Sequence, residues 1–150
     1  MQGTGNARAT IFIAEDNPIL LQGLDRALSA NGYQVETAAS GEAVLDLLNQ
    51  TETPPDLLLL DIMMPGLSGF DVLRTVQAHP GGKDLPVVLI TAATDDSVQA
   101  AAAAGGAADL LIKPFRLGEL LERIETHVSR VRQRRQAAPV VARMTATPTI

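Results

Sequence analysis

The chain has 150 residues, of which 46% are hydrophobic, and a net charge of −5. This length and apolar content suit one well-buried domain and are short for two. With no cysteine and only two histidines, disulfides, thiolate chemistry and a zinc site are excluded, so any metal must be held by oxygen ligands. No apolar run approaches the roughly 18 residues of a membrane span, and no signal-peptide pattern is present, so we expect a soluble cytoplasmic protein.

The charges are unevenly distributed along the chain. Residues 1–120 hold 15 acidic and 6 basic residues, whereas residues 121–150 hold 2 acidic and 6 basic residues. The basic stretch has no recognition motif and no aromatic platform, so nucleic-acid binding through this domain is not expected. We predict a disordered leader at 1–8, a folded domain at 9–130 and, at 131–150, a basic and then Pro/Thr-containing tail or truncated linker, unfolded from about residue 137.

Five short segments have the composition of β-strands, and a helical pattern follows each of them. The strands are predicted at 9–14, 34–38, 57–60, 86–90 and 109–112. The four leucines of the third segment are typical of a central strand that is covered on both faces. Five successive strand-helix units predict an α/β, flavodoxin-like, doubly wound fold with a parallel five-stranded sheet in the order 2-1-3-4-5.

Capping residues mark the ends of several helices. Asn17 followed by Pro18 predicts the start of the first helix, and Ser40 predicts the start of the second. The fourth helix, which runs through residues 100–104, has only Val98 as a large apolar anchor. We therefore expect this helix to form readily but to pack weakly.

Polar side chains follow four of the strands at the point where each strand ends. Glu15 and Asp16 follow the first strand, and Asp61 follows the third. Thr91 and Lys113 follow the fourth and fifth strands. Because the carboxyl ends of parallel strands meet at one edge of a sheet, we expect these five residues to form one pocket.

Three carboxylates in one pocket require a cation or raised pKa values, because they repel one another. Oxygen ligands without histidine or cysteine favour Mg²⁺, which commonly bridges carboxylates to a phosphoryl oxygen. Asp61 is then a candidate nucleophile toward phosphorus, with Thr91 and Lys113 as contacts for phosphoryl oxygens.

Four motifs coincide with these positions: the acidic pair at 15–16, LLLLDIMMPGLSG at 57–69, LITAA at 89–93 and LIKPF at 111–115. Together they resemble the CheY-like receiver domain of two-component response regulators, over roughly residues 9–130. The resemblance implies that Asp61 accepts phosphate from a sensor histidine kinase or histidine phosphotransfer protein. It also implies contacts from Thr91 and Lys113 to the phosphoryl group and a cis peptide bond between Lys113 and Pro114.

The resemblance further implies a Mg²⁺ site formed by Glu15, Asp16, Asp61 and the backbone carbonyl of Met63.

The domain would not be an enzyme beyond self-phosphorylation from a phosphodonor and slow self-dephosphorylation. Phosphorylation would switch the face formed by the fourth helix, fifth strand and last helix, to control an output domain or partner protein, and could produce a homodimer. One departure is Leu110, which stands where the family usually has an aromatic residue.

Two other classes of protein share parts of this pattern. A haloacid-dehalogenase-like phosphatase also uses an Asp nucleophile and Mg²⁺, but Met63 stands where its D-x-D motif has the second Asp. A flavodoxin-like cofactor-binding protein would bring a flavin phosphate against the acidic loop at 15–18, which would repel it.

His79 and His127 are interpreted as surface residues without a functional role.

Overall fold

The computed structural model describes residues 8–93 and 95–146, with side chains described as far as Arg134. Five strands alternate with five α-helices, as predicted. They are β1 (Thr10–Ala14), α1 (Pro18–Ala30), β2 (Gln34–Ala38), α2 (Gly41–Gln50), β3 (Leu57–Asp61), α3 (Gly69–Ala78), β4 (Val87–Thr91), α4 (Asp96–Ala104), β5 (Asp109–Ile112) and α5 (Leu117–Ala146). A short 3₁₀ helix, Gly82–Asp84, leads from α3 into β4. Within the described ranges, no helix combines the length and hydropathy that a bilayer crossing requires.

The five strands form one parallel sheet in the order β2-β1-β3-β4-β5, which confirms the flavodoxin-like prediction. The register aligns the carboxyl ends of the central strands. Asp61 of β3 lies beside Ile90 of β4, and Thr91 of β4 lies beside Ile112 of β5. The residues that end these strands, or directly follow them, therefore lie along one edge of the sheet.

Both faces of the sheet are covered, which explains the run of four leucines in β3. Successive side chains of a strand point to opposite faces. Leu57 and Leu59 pack into the core with residues of α1 and α5, whereas Leu58 and Leu60 pack with residues of α2, α3 and α4. All four are fully buried, so β3 is held rigidly from both sides.

The helix starts agree with the capping residues of the sequence. The Asn17 side chain accepts hydrogen bonds from the backbone N–H groups of Ile19 and Leu20, and Ser40 caps α2 in the same way. Asp95 caps α4, in which Ala102 is the buried residue. Ala102 is small, and the larger Val98 packs on the same core but is only partly buried, which agrees with the weak packing predicted for α4.

The two ends of the chain differ from the prediction. Arg8, which was assigned to the disordered leader, donates its backbone N–H to the Gly32 carbonyl, stacks on the Tyr33 ring and forms an ion pair with Glu125. At the other end, α5 continues as a helix to Ala146, where the sequence predicted an unfolded tail or the beginning of a linker from residue 137. The other residues of the predicted leader and tail, 1–7 and 147–150, lie outside the described residues.

Candidate functional site

The ends of β1 and β3 bring three carboxyl groups together, as the sequence predicted. Glu15, Asp16 and Asp61 each offer an oxygen, and these oxygens lie within 4.8 Å of one another. Glu15 and Asp61 are buried, with 1% and 4% of their surfaces exposed, whereas Asp16 is exposed. We call these three residues the acidic pocket.

Lys113 provides the positive charge of the acidic pocket. Its Nζ lies 3.0 Å from Oδ2 of Asp61 and 3.4 Å from Oε1 of Glu15. Burial alone would lower the pKa of Lys113, but the hydrogen bond and charge of Asp61, together with Glu15, outweigh it and raise that pKa. Lys113 therefore remains an ammonium ion at neutral pH, and it offsets part of the carboxylate repulsion. The predicted cis peptide bond between Lys113 and Pro114 is confirmed.

Glu15 responds to this crowding through its own pKa. Burial, together with the neighbouring Asp61 carboxyl, raises the pKa of Glu15 to about 7, although the Asn17 backbone N–H and Lys113 act in the opposite direction. Near neutral pH the Glu15 carboxyl is thus partly protonated. A cation that binds in the pocket competes with this proton.

The loop after β3 holds Asp61 in a fixed orientation. Oδ1 of Asp61 accepts a hydrogen bond of 3.0 Å from the Met63 backbone N–H, while Oδ2 faces Lys113. Gly69 begins α3 directly against this strand end, and a Cβ atom at position 69 would lie 2.7 Å from the Asp61 carbonyl oxygen. Only glycine therefore allows α3 to pack so closely on the backbone of Asp61.

Thr91 is fully buried at the end of β4, but it is not bonded to the acidic pocket through its side chain. Its hydroxyl oxygen accepts a hydrogen bond of 3.0 Å from the Ala93 backbone N–H. Its carbonyl accepts a hydrogen bond of 2.7 Å from the Lys113 backbone N–H, which ties the ends of β4 and β5 together. Thr91 and Lys113 are therefore linked through the backbone.

The acidic pocket fits Mg²⁺ by the chemistry of its donors. All three side chains offer carboxylate oxygens, and the exposure of Asp16 leaves room for the waters that Mg²⁺ usually keeps. The Met63 side chain is 69% exposed and points away from the core. The role of the Met63 backbone carbonyl as a metal ligand stays a prediction.

A second polar cluster was missed by the sequence analysis. His127, interpreted as a surface residue, is only 7% exposed, and its Nε2 lies 2.9 Å from Oδ2 of Asp109. Nη1 of Arg123 lies 2.5 Å from Oδ1 of the same carboxylate. The spacing of four residues between Arg123 and His127, on either side of the buried Ile124, was the available signal, because residues four apart share a helix face.

Comparison with known families agrees with the geometry. The family described as the response regulator receiver domain matches residues 11–125, a range that contains the whole acidic pocket, Thr91 and Lys113. The chain belongs to this family. A receiver domain is a signalling domain rather than a catalytic enzyme, and the phosphatase and flavin-binding alternatives find no support.

Receiver proteins from several bacteria resemble this chain. Response regulator MprA of Mycobacterium avium is 39% identical over 130 residues, which are 87% of this chain and 55% of that protein. MprA of Mycolicibacterium vanbaalenii is 41% identical over 120 residues, 80% of this chain and 50% of that protein. A receiver domain protein of Clostridium thermocellum superposes with a TM-score of 0.77 at 27% identity, covering 83% of this chain and 98% of that one. The chain thus spans about half the length of the curated relatives.

Proposed function

We propose that this receiver domain accepts a phosphoryl group on Asp61 from a sensor histidine kinase or a histidine phosphotransfer protein. The observation that carries the proposal is the setting of Asp61: a buried carboxylate, 3.0 Å from the Lys113 ammonium, in a cluster of three carboxyl groups. A buried carboxylate with a hydrogen-bond partner on each oxygen is held in one orientation, which lowers the cost of placing it for attack on phosphorus.

In the proposed reaction, one oxygen of Asp61 attacks phosphorus while the bond from phosphorus to the donor breaks, so that the leaving group keeps the electron pair. The Met63 N–H holds the other oxygen in place. Lys113 transfers its hydrogen bond from the carboxylate to a phosphoryl oxygen, and the Thr91 hydroxyl leaves Ala93 to bind a second one. Mg²⁺ held by Glu15, Asp16, Asp61 and the Met63 carbonyl would supply charge that neutralises the phosphoryl oxygens.

Slow self-dephosphorylation, in which water takes the phosphoryl group as inorganic phosphate, returns Asp61 to its starting state.

The last part of the proposal concerns the location and the partners of the domain. We propose a cytoplasmic location and control of an output domain or separate partner through α4, β5 and α5, with a homodimer as one phosphorylated form. The MprA relatives support an output function, because the matched part accounts for about half of each protein.

Phosphorylation by acetyl phosphate in the presence of Mg²⁺ tests the assignment of Asp61. We expect one acid-labile phosphoryl adduct by intact-mass measurement, and we expect Asp61→Asn to abolish it because the nucleophilic carboxylate is gone. Asp46→Asn, at an exposed position of α2, is the matched control and keeps the adduct. An adduct that persists at the same level in Asp61→Asn contradicts the proposal.

A further inference from the structure

A cavity of about 140 Å³ lies at the opposite end of the sheet from the acidic pocket. It is formed by the 3₁₀ turn before β4, the connection from α4 to β5, and the middle of α5. Four basic side chains line it, Lys83, His127, Arg130 and Arg134, together with one acidic side chain, Asp84. We call this site the basic cavity.

The positive charge of the basic cavity is only partly balanced. Within the part of the chain whose side chains are described, Lys83 and Arg130 form no ion pair. Arg134 faces Asp84 at 4.0 Å, and with 62% and 83% of these side chains exposed the pair is loose. Lys83, Arg130 and Arg134 carry three positive charges, and Asp84 carries one negative charge. The formal charge of the basic cavity is therefore +2 when His127 is neutral. Like charges held together at a concave surface attract an anion.

One wall of the basic cavity is rigid. His127 is buried and fixed by its hydrogen bond to Asp109, which Arg123 holds from the other side. Arg130 follows His127 by three residues and Arg134 by seven, so their positions lie on one face of α5. Because His127 is already fixed, anion binding orders only the exposed side chains of Lys83, Arg130 and Arg134. The entropic cost of binding is therefore lower than it would be if all four basic side chains were mobile.

We propose that the basic cavity binds a phosphate-type oxyanion, either inorganic phosphate or the terminal phosphate of a small phosphorylated metabolite. A water molecule occupies about 30 Å³ of liquid, so the cavity has room for one tetrahedral oxyanion and a few waters. A phosphate monoester carries about −1.5 to −2 charges at pH 7, close to the unbalanced charge of the cavity. Arginine donors match two phosphate oxygens at once, and lysine adds a point charge.

A nucleic-acid backbone is a poorer fit to the same residues. It presents regularly spaced phosphates and is bound by an extended basic stripe, usually with aromatic side chains. The basic cavity is small, and none of the described residues that line it is aromatic. We therefore assign the site to a small anion, and make nucleic acid an outcome of the test.

Calorimetric titration with inorganic phosphate tests the proposal, and a parallel titration with glycerol phosphate distinguishes free phosphate from a small phosphate monoester as the preferred ligand. It is carried out at constant ionic strength with a chelator present, so that no divalent cation draws phosphate to the acidic pocket. We expect saturable binding that Lys83→Gln and Arg130→Gln each weaken about tenfold, because each removes a charge-assisted hydrogen bond. Arg26→Gln, which removes the same charge from an exposed position on α1, is the matched control and leaves the affinity unchanged.

Nuclear magnetic resonance of the two histidine rings locates the bound phosphate. We expect the ring signals of His127 to shift with the same saturation curve, and those of His79, which does not line the cavity, to stay in place. The proposal is overturned if phosphate binding does not saturate, if Arg26→Gln weakens it as much as the cavity variants do, or if a DNA duplex binds the cavity residues while phosphate does not. Because Asp61 plays no part in this titration, the result is independent of the proposed phosphorylation.

Discussion

At the residue scale, Glu15 and Lys113 determine how the charge of Asp61 is tolerated in a buried position. Lys113 pairs with both carboxyl groups, but one ammonium ion cannot neutralise two carboxylates. Part of the remaining repulsion is relieved by protonation of Glu15, whose pKa is raised to about 7, chiefly by burial. Glu15 therefore weakens the fold at high pH when no divalent cation is bound.

The raised pKa of Glu15 predicts a pH-dependent stability in the presence of a chelator. The folded protein binds the proton more tightly than the unfolded chain does, so the stabilising effect is complete below pH 4.5 and is lost as the pH rises through about 7. Relative to Glu15→Gln, we expect the wild type to lose on the order of 3 kcal/mol of unfolding free energy across this range.

Urea unfolding at pH 5 and pH 8 measures this difference. Glu36→Gln, at an exposed position of β2, is the control, and its pH dependence should follow that of the wild type. If Glu15→Gln loses stability with pH as steeply as the wild type does, Glu15 is not the group responsible.

At the element scale, the capping box of α3 fixes the helix that packs against the end of the strand that carries Asp61. The Ser68 side chain accepts a hydrogen bond from the Asp71 backbone N–H, and the Asp71 carboxylate accepts one from the Ser68 N–H at 2.9 Å. The bond from the Ser68 N–H, together with one that the Ser68 hydroxyl donates to the same carboxylate, lowers the pKa of Asp71. The start of α3 is thereby held where Gly69 contacts the backbone of Asp61.

Loss of this cap should destabilise the domain. We expect Ser68→Ala to lower the unfolding free energy by about 1 kcal/mol, because it leaves a helix N–H group without its side-chain acceptor. Ser29→Ala removes an exposed serine hydroxyl at the end of α1 that serves no such cap, and should change stability by less than about 0.5 kcal/mol. Chemical denaturation compares the two variants, and equal losses would show that the capping box contributes nothing particular.

The elements were predictable from sequence because their signals are local. The bounds of β2 and β5 agree with the prediction, since apolar runs and turn residues define them within a few positions. The acidic pocket was predictable for a related reason: strand ends in a parallel sheet share one edge, so strand order alone brings Glu15 and Asp61 together.

The missed features depend on tertiary geometry. The burial of His127 depends on the rotation of α5 against β5, which a helical repeat does not specify to within one residue. The anchoring of Arg8 needs Tyr33 and Glu125, partners that are distant in sequence. The continuation of α5 could not be inferred from hydrophobic periodicity either, because Val131 is its last buried residue among those whose side chains are described.

At the scale of the whole molecule, the acidic pocket and the proposed output face are joined through the ends of β4 and β5. The backbone bond between Lys113 and Thr91 links the two residues that are expected to contact a phosphoryl group. Beside these strands, α4 contacts the core through the buried Ala102 and the partly buried Val98, and a groove of about 400 Å³ is lined by α4 and β5. Leu110, which is half-buried, lines this groove.

This arrangement predicts where phosphorylation changes the structure. New phosphoryl oxygens would pull on Thr91 and Lys113, so the strain enters β4 and β5, and the weakly anchored α4 responds because a small differential interaction shifts its equilibrium. With beryllofluoride and Mg²⁺ as a phosphate mimic, we expect amide hydrogen exchange to change in α4, β5 and α5, while α1 stays unchanged. Since Leu110 has no ring to move between two positions, the change should be a broad loosening of α4. Asp61→Asn under the same conditions should show none of these effects, and changes confined to Ile19–Leu28 would mean that the signal leaves by another face.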